Sequence, residues 1–410
     1  MNRDEDKWLG FLAFVFWSLI GLEFFTGILL AFSYNLHQPY ESVSALRKSL
    51  FGAFLGNFHY WTSALLIVTG LLNIFYLLWN GAFTWERRWI WWGALGGFVL
   101  CLASQMSGNL LPFSQHDVRT AYVEASIASS TPKIGDNLFY FILGGERVTT
   151  ETLSRWYFLH RFLLPILFVL LAIPVLRTIW KIASPRTRMS ALTLSLLLTI
   201  LIAIIFDTPL GPPATEGDTT GSTGPMWYVL PMHSLLNVFS QFRSDLGWVG
   251  ALLIPLILSI IAFALPFLFR NPSGGNGSFG RFGFVVGGIF LFLFGISYGN
   301  VVVPPFEEPS FEDKHDASKF VNIPINKALA ERGSEIFRNS ACLSCHRVGS
   351  LGKSRVGPDL NGVGRKHPDP RWLMDFLKDP KSKGVTRMPS FGHLPEEDRI
   401  ALVEYLRSLK

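Results

Sequence analysis

Cysteine is the residue this chain has least of: Cys101, Cys342 and Cys345 are the only three among 410 residues. So few thiols exclude a disulfide framework, and without further Cys or His at ligand spacing they do not make a structural zinc site. Charge is thin as well, at 16% of residues, and it is concentrated: residues 303–410 hold 18 of the 36 Lys and Arg and 15 of the 30 acidic residues. No internal repeat is evident and no nucleic-acid partner is expected. The first residues, with Asp4, Glu5 and Asp6 among them, lack the basic start and the small-residue cleavage site of a secretory leader.

Two of the three cysteines open the run Cys342-Leu343-Ser344-Cys345-His346. Two thiols three apart with a histidine directly after them is the spacing for covalent attachment of one haem c. Both thiols add to the haem vinyl groups, and His346 is placed to ligate the iron. The residues around this run resemble a small class I cytochrome c. Gly357-Pro358-Asp359-Leu360 resembles the loop whose proline carbonyl accepts the ring N–H of the proximal histidine. Arg387-Met388-Pro389 resembles the sixth-ligand loop, so the resemblance makes Met388 the distal thioether. Met374 competes for that role from the helical run Pro370 to Lys378, where packing with Trp372 and Phe376 is its plainer purpose. Gly333, Phe337, Tyr405 and Leu406 match the positions where the first and last helices of that fold cross. His315, His367 and His393 read as solvent-facing.

Apolar runs are what the rest of the chain has in abundance. Segments of about 20 apolar residues are long enough to cross a hydrocarbon core of about 30 Å. Seven candidates run roughly Phe11–Phe32, Phe58–Trp79, Trp89–Pro112, Trp156–Ile179, Ala191–Phe206, Leu246–Phe269 and Phe282–Val302. Arg87 and Arg88, then Lys181, Arg186 and Arg188, then Arg270 and Arg281 fall in loops on one side, which the positive-inside rule makes cytoplasmic. The N-terminus then starts in the cytoplasm and residues 303–410 emerge on the opposite face. A bacterial-type inner membrane follows, with the haem c domain in the periplasm or its equivalent. Val303 to Pro309 is proline-rich and acidic, a semi-rigid connector, and Ser273–Gly280 reads as a flexible loop. Lys381, Lys383 and Arg387 form a basic cluster suited to an acidic partner, or a solvated charged face.

Ionisable residues inside the membrane are costly and default to function. His59 and His160 open the second and fourth spans at the same depth, the arrangement for bis-His ligation of haem b. The plainer alternative satisfies each with a backbone carbonyl near the interface. Thr26-Gly27-Ile28, His59-Tyr60-Trp61, Gly108-Asn109-Leu110-Leu111-Pro112, Arg155-Trp156-Tyr157-Phe158-Leu159-His160, Leu210-Gly211-Pro212-Pro213 and Pro225-Met226-Trp227-Tyr228 resemble, in that order, cytochrome b of the quinol-oxidising cytochrome bc complexes. The resemblance implies an all-α fold, a seven-transmembrane-helix cytochrome b-like bundle followed by a small α-helical class I cytochrome c domain. Its boundaries are 1–302 for the membrane domain (1–185 and 186–302), 303–326 for the linker and 327–410 for the cytochrome c domain. It also implies that His59 and His160 hold one outer haem b, with Gly27 and Gly108 packing against it and Arg155 available to a propionate.

The departures from that family all fall on one layer. A second haem b there uses histidines fourteen residues further along the same helices, about 21 Å deeper. Here those positions are Asn73 and Pro174, with Val175 next, and the matching inner glycines are Ala13 and Ala94. Tyr76 replaces a propionate-binding arginine, and at the outer level Gly56 replaces a basic residue. Without the inner haem, the usual bifurcating quinone cycle fails. The quinol pocket departs too: Met226 stands where the family has a proton-accepting glutamate. His233 and Glu124 are the candidate replacements, with a merely polar interfacial role the alternative for His233. Arg119 and Thr120 reshape the same stretch.

The expectation is therefore a membrane-anchored electron-transfer subunit of a modified bc-type complex, passing electrons between quinol, one outer haem b and a covalent haem c. Other redox subunits, a Rieske-type iron–sulfur protein among them, are implied by the resemblance. So are a soluble cytochrome or periplasmic redox enzyme, membrane lipid, a bound quinone and a homodimer. Two alternatives stay open: a membrane anchor and electron conduit for a periplasmic dehydrogenase or reductase without quinol chemistry, and a scaffold without haem b.

Overall fold

The computed structural model describes residues 3–129, 131–145, 148–214, 226–242, 246–269 and 324–339, with isolated residues between 285 and 292 and most of 342–410. Every regular element among the described residues is helical. In chain order the elements of residues 3–268 are α1 (Arg3–Ala31), α2 (Pro39–Arg47), α3 (Leu50–Trp79), α4 (Arg88–Asn109), α5 (Gln115–Ser129), α6 (Gly135–Leu143), α7 (Thr150–Phe158), α8 (Leu164–Ile182), α9 (Pro185–Ile205), α10 (Leu230–Phe242) and α11 (Ile254–Leu268). A π-helical turn, Leu159–Leu163, joins α7 to α8. Contacts divide the chain into two units, one of residues 1–118, 148–217 and 256–292, the other of 119–147, 218–255 and 293–410.

Six described stretches are long and apolar enough to cross a membrane: Lys7–Ala31, Leu50–Trp79, Trp85–Asn109, Thr150–Ile182, Pro185–Ile205 and Val249–Leu268. The chain is a multi-pass membrane protein. Nearly all of the seventh predicted span, Phe282–Val302, lies outside the described residues, as do the connector 303–323 and the loop Ser273–Gly280. Two spans start earlier than their apolar windows do. Ser49 accepts the Gly52 N–H at 3.0 Å and so begins α3 eight residues before Phe58. Thr149 and Thr152 close a reciprocal capping box that begins α7 at Thr150. His59 and His160 therefore stand well inside their helical stretches rather than at the start, each with at least about two and a half turns before it.

In the first unit α1 packs on α3, α8 and α9, while α4 packs on α3 and α8. Hydroxyls in these apolar helices bond within their own helix, as Thr62 does to the Phe58 carbonyl at 2.7 Å and Thr199 to Ser195 at 2.9 Å. That satisfies them without a partner helix. The buried face of α9 is small throughout, with Ala191, Ser195, Thr199 and Ala203 one turn apart, which lets neighbouring backbones approach. Its opposite face carries Leu197, Leu201 and Ile204, all exposed and suited to lipid.

Buried Asn57 ties α3 to the end of α9 with its whole bonding capacity. Its amide donates to the Ala203 carbonyl at 3.2 Å and to Asp207 Oδ1 at 3.0 Å. Its oxygen accepts from both the N–H and the hydroxyl of Thr208, each at 2.9 Å.

In the second unit α10 packs against the π-helical turn Val249–Leu253, where Gly250 lies too close to the Leu235 backbone for any side chain. The same unit holds α12 (Lys327–Asn339), α13 (Val363–Lys366), α14 (Pro370–Lys378) and α15 (Glu396–Ser408). Gly333 of α12 sits on the Ala401 carbonyl of α15, with no room for a Cβ, and the Phe337 and Tyr405 rings meet at 5.3 Å. Phe337, Trp372, Leu373, Leu377, Leu402 and Leu406 form the core beneath this crossing. His367, expected to face solvent, instead stacks on Trp372 with ring centres 4.2 Å apart, because the short turn between α13 and α14 lays the imidazole flat on the indole. His315, His393 and Arg387 lie outside the described residues.

Replacing Asn57 by alanine strands the Thr208 N–H and the Ala203 carbonyl. The expected cost is about 2–4 kcal/mol, read as a lower thermal midpoint of the detergent-solubilised chain. Ser63→Ala, which removes only a hydroxyl bonded within its own helix, is expected to change stability by less than about 0.5 kcal/mol.

Candidate functional site

His59 and His160 come together edge to face. His59 rides on α3 and His160 on the π-helical turn before α8; their ring centres lie 6.3 Å apart with the planes at 79°. Bonds from two further helices hold the rings. His59 Nδ1 lies 3.0 Å from Thr26 Oγ1 and 3.3 Å from Glu23 Oε1, both on α1. His160 Nδ1 lies 3.1 Å from Ser107 Oγ and 3.1 Å from the Ser104 carbonyl, both on α4. The hydroxyls have committed their own hydrogens, Thr26 to the Leu22 carbonyl at 3.0 Å and Ser107 to Ala103 at 2.9 Å. Each Nδ1 thus faces acceptors and carries the ring proton, leaving a lone pair on each Nε2. That is the tautomer a metal requires, with the other nitrogen anchored.

Two glycines provide the room. A Cβ on Gly27 would come within 3.2 Å of His59 Cε1, and one on Gly108 within 2.9 Å of His160 Cε1. If one metal bound one nitrogen of each ring at about 2 Å, the ring centres would stand roughly 6 Å apart, close to the spacing found. The pair fits one bis-imidazole iron. Arg155 is not gathered with it: it lies on α7, half exposed, in an ion pair with Glu151 at 3.1 Å. Glu23, Ser104 and Ser107 had no part in the sequence reading. The signal for Glu23 was available, an acidic residue inside an apolar span.

At the level of Asn73 the interior of the same unit is filled instead. Phe16 of α1 is fully buried; a Cβ on Gly70 would meet its ring at 3.1 Å, and one on Gly97 at 2.7 Å. Val175 of α8 packs onto Gly93, where a Cβ would lie 2.6 Å away. Ala13, Asn73 and Ala94 are each 1% exposed.

The two candidate proton acceptors stand on separate helices, Glu124 on α5 and His233 on α10. Burial pushes the Glu124 carboxyl up to about 8. Thr120, on the same helix, is buried with its hydroxyl unpartnered. Burial also raises the Asp117 carboxyl, which accepts the Ser114 N–H at 2.8 Å and so serves the start of α5. Met226 directly precedes the turn Trp227–Val229.

In the C-terminal part His346 is 9% exposed, and its Nδ1 lies 2.8 Å from the Pro358 carbonyl. Burial holds its imidazole below the ordinary range, hence neutral. The His346 N–H donates to the Cys342 carbonyl at 2.8 Å, one helical turn back across the thiol pair. Cys342 packs against the core; Cys345 lies outside the described residues. Met388 and Met374 both pack on that core.

Residues 64–185 match the family profile described as cytochrome b(N-terminal)/b6/petB. Residues 328–406 match the one described as cytochrome C oxidase, cbb3-type, subunit III. Cytochrome b6 of Heliomicrobium gestii is 34% identical over 143 residues, which cover 34% of this chain and 67% of that protein. The chain belongs to the cytochrome b/b6 family. Cytochrome b6 of Heliobacterium modesticaldum is 33% identical over 143 residues, again 34% of this chain and 67% of the relative. A solved structure titled "Hyperthermophilic respiratory Complex III" aligns at a TM-score of 0.45 and 16% identity, over 73% of this chain and 93% of that one. This cytochrome b/b6 chain thus carries a cytochrome c-like domain after its membrane part, and haem b and haem c are the groups that these two families imply.

The Glu124 carboxyl predicts a pH dependence. A folded-state value raised from 4.5 to about 8 means stability present below the ordinary carboxyl range, lost progressively as pH rises through about 8 and level beyond it. Thermal midpoints across this range are expected to fall in the unmodified chain and to fall less in Glu124→Gln.

Proposed function

We propose that this cytochrome b/b6 chain is the electron-transfer subunit of a modified bc-type complex that oxidises quinol at the outer face of a bacterial-type inner membrane. His59 and His160 would hold its one haem b; Cys342 and Cys345 would attach haem c, with His346 and Met388 to ligate its iron. A haem iron held at each site would supply one-electron chemistry between the ferric and ferrous states. The chain's own residues do the rest. Thr26, Ser107 and the Ser104 carbonyl fix both membrane imidazoles as Nδ1–H tautomers, and Pro358 does the same for His346. Gly27 and Gly108 leave space for the rings. The ionised form of Glu124, whose carboxyl gives up its proton at about 8, or His233 takes the quinol proton in place of the glutamate that Met226 replaces.

A single contrast carries this reading. At the His59 level two anchored imidazoles meet at 6.3 Å. At the Asn73 level Phe16 and Val175 occupy the glycine-lined interior where a second porphyrin would need space. A current confined to the outer face follows, with Rieske-type and soluble cytochrome partners on that side. Met226 favours a second reading, a membrane anchor and conduit for a periplasmic dehydrogenase or reductase, since a thioether accepts no proton.

The haem b to haem c ratio of the purified chain, measured from the alkaline pyridine spectra, is expected to lie near one. A ratio near two overturns the single-site assignment. His59→Ala and His160→Ala are each expected to lose haem b and keep haem c. Quinol-dependent reduction of haem c, falling at least about 100-fold in Glu124→Gln or His233→Ala, supports quinol oxidation. Unchanged reduction in both variants removes the proposed proton acceptors, and no reduction in the unmodified complex leaves the conduit reading.

A further inference from the structure

Three helices of the first unit leave an open groove of about 300 Å³, walled by Phe14, Trp17 and Gly21 of α1, Leu176 and Trp180 of α8 and Leu192 of α9. Phe14, Trp17 and Gly21 follow one another at three and four positions on one face of α1, and Leu176 and Trp180 stand one turn apart on α8. The groove therefore runs along the helices, for roughly 10 Å between Phe14 and Gly21. A Cβ on Gly21 would meet nothing within 4 Å, so the groove is open there. At its other end the Phe14 and Trp180 rings meet at 6.1 Å. Trp180 and Leu192 are exposed, so it opens towards the membrane.

The Trp180 end carries a held positive charge. Arg188 stands in the first turns of α9, one turn before Leu192, and lays its guanidinium carbon 3.9 Å over the Trp180 ring. Its Nε is covered by protein without a hydrogen-bond partner, and among the described residues its terminal nitrogens have no hydrogen bond or ion pair. Lys181 and Arg186 lie at the same end, and the first turn of α9 holds no acidic residue. A helix N-terminus itself favours anions, so these cations add to a field that nothing described there neutralises.

We infer that this groove binds an acyl chain of an anionic phospholipid, with the lipid phosphate held by Arg188. The inference is independent of what His59 and His160 hold. An apolar groove alone would take any chain of the bilayer, because lipid tails are as apolar as its walls. Selectivity comes from the charged end. There a phosphate accepts from both terminal nitrogens of the planar guanidinium and neutralises a charge whose Nε finds no partner in the protein. Stacking on Trp180 orients the guanidinium beforehand, so little freedom is lost on binding. A zwitterionic headgroup would bring its own cation towards Lys181, Arg186 and Arg188, whereas a headgroup of net negative charge does not. The ligand is therefore a lipid of the phosphatidylglycerol type, in the leaflet beside the Lys181–Arg188 loop.

Native mass spectrometry of the full-length chain, purified in detergent and offered equal amounts of phosphatidylglycerol and phosphatidylcholine, tests this. The unmodified chain is expected to retain phosphatidylglycerol at least about tenfold over phosphatidylcholine. Arg188→Gln is expected to abolish that preference, and Arg188→Lys to restore it only in part, since an ammonium lacks the planar fork. Gly21→Leu, which places a side chain in the open groove, is expected to lower phosphatidylglycerol retention with Arg188 intact. In phosphatidylcholine vesicles doped with phosphatidylglycerol brominated along its acyl chains, tryptophan emission should be quenched in the unmodified chain and less so in Gly21→Leu. Equal retention of the two lipids by the unmodified chain overturns the proposal, as does a preference that survives Arg188→Gln. Should that variant not accumulate, undiminished retention and quenching in Gly21→Leu overturn it equally. A co-purifying quinone that is lost in Gly21→Leu while phospholipid stays gives the groove a different occupant and overturns it too.

Discussion

The membrane site depends on two Nδ1–H groups that are already spoken for. An imidazole turned loose in an apolar bundle would seek any carbonyl with either nitrogen. Here α1 captures one ring of the pair and α4 the other, so both tautomers and both orientations are decided before any metal arrives. Four helical segments must be in register for this, since the captors and the captured rings sit on different ones. The packing of α1 on α3 and of α4 on α8 is thus a precondition of the chemistry.

That packing changes character along its length. Near His59 and His160 the helices approach through glycines that make room for polar rings. About 21 Å deeper they approach through glycines that make room for Phe16 and the Val175 side chain. The same small residues serve two purposes, and the difference lies in what neighbouring helices insert between them. A phenylalanine wedged against Gly70 and Gly97 makes this level hydrophobic core.

Much of this was legible in the amino-acid order. The CxxCH run and the His59 and His160 pair stood out by their spacing, and Asn73 and Pro174 by standing fourteen residues further on, since fourteen residues return to almost the same helical face. Helix starts were misjudged by up to two turns because hydropathy windows find the apolar centre, whereas Ser49 and Thr149 begin helices by hydrogen bonding. Glu23 was overlooked because the family motif begins three residues later, at Thr26, though a carboxylate in an apolar span was itself a signal. The filling of the deeper level was out of reach: no local pattern marks Phe16 as the residue that points between α3 and α4. His367 was misread for a similar reason, its stacking partner Trp372 being brought to it only by the turn before α14.

The π-helical turn at Leu159–Leu163 has a wider meaning. It holds one residue more than an α-helical turn, so the two halves of the long stretch from Thr150 to Ile182 are phased about 100° apart. The aromatic segment Trp156–Phe158 and the lipid-facing leucines of α8 can therefore each follow their own periodicity, with His160 seated at the splice. A one-residue deletion within Leu159–Leu163 would restore plain α-helix and turn α7 about 100° relative to α8, so the length of this turn, as much as its sequence, sets where the His160 ring points.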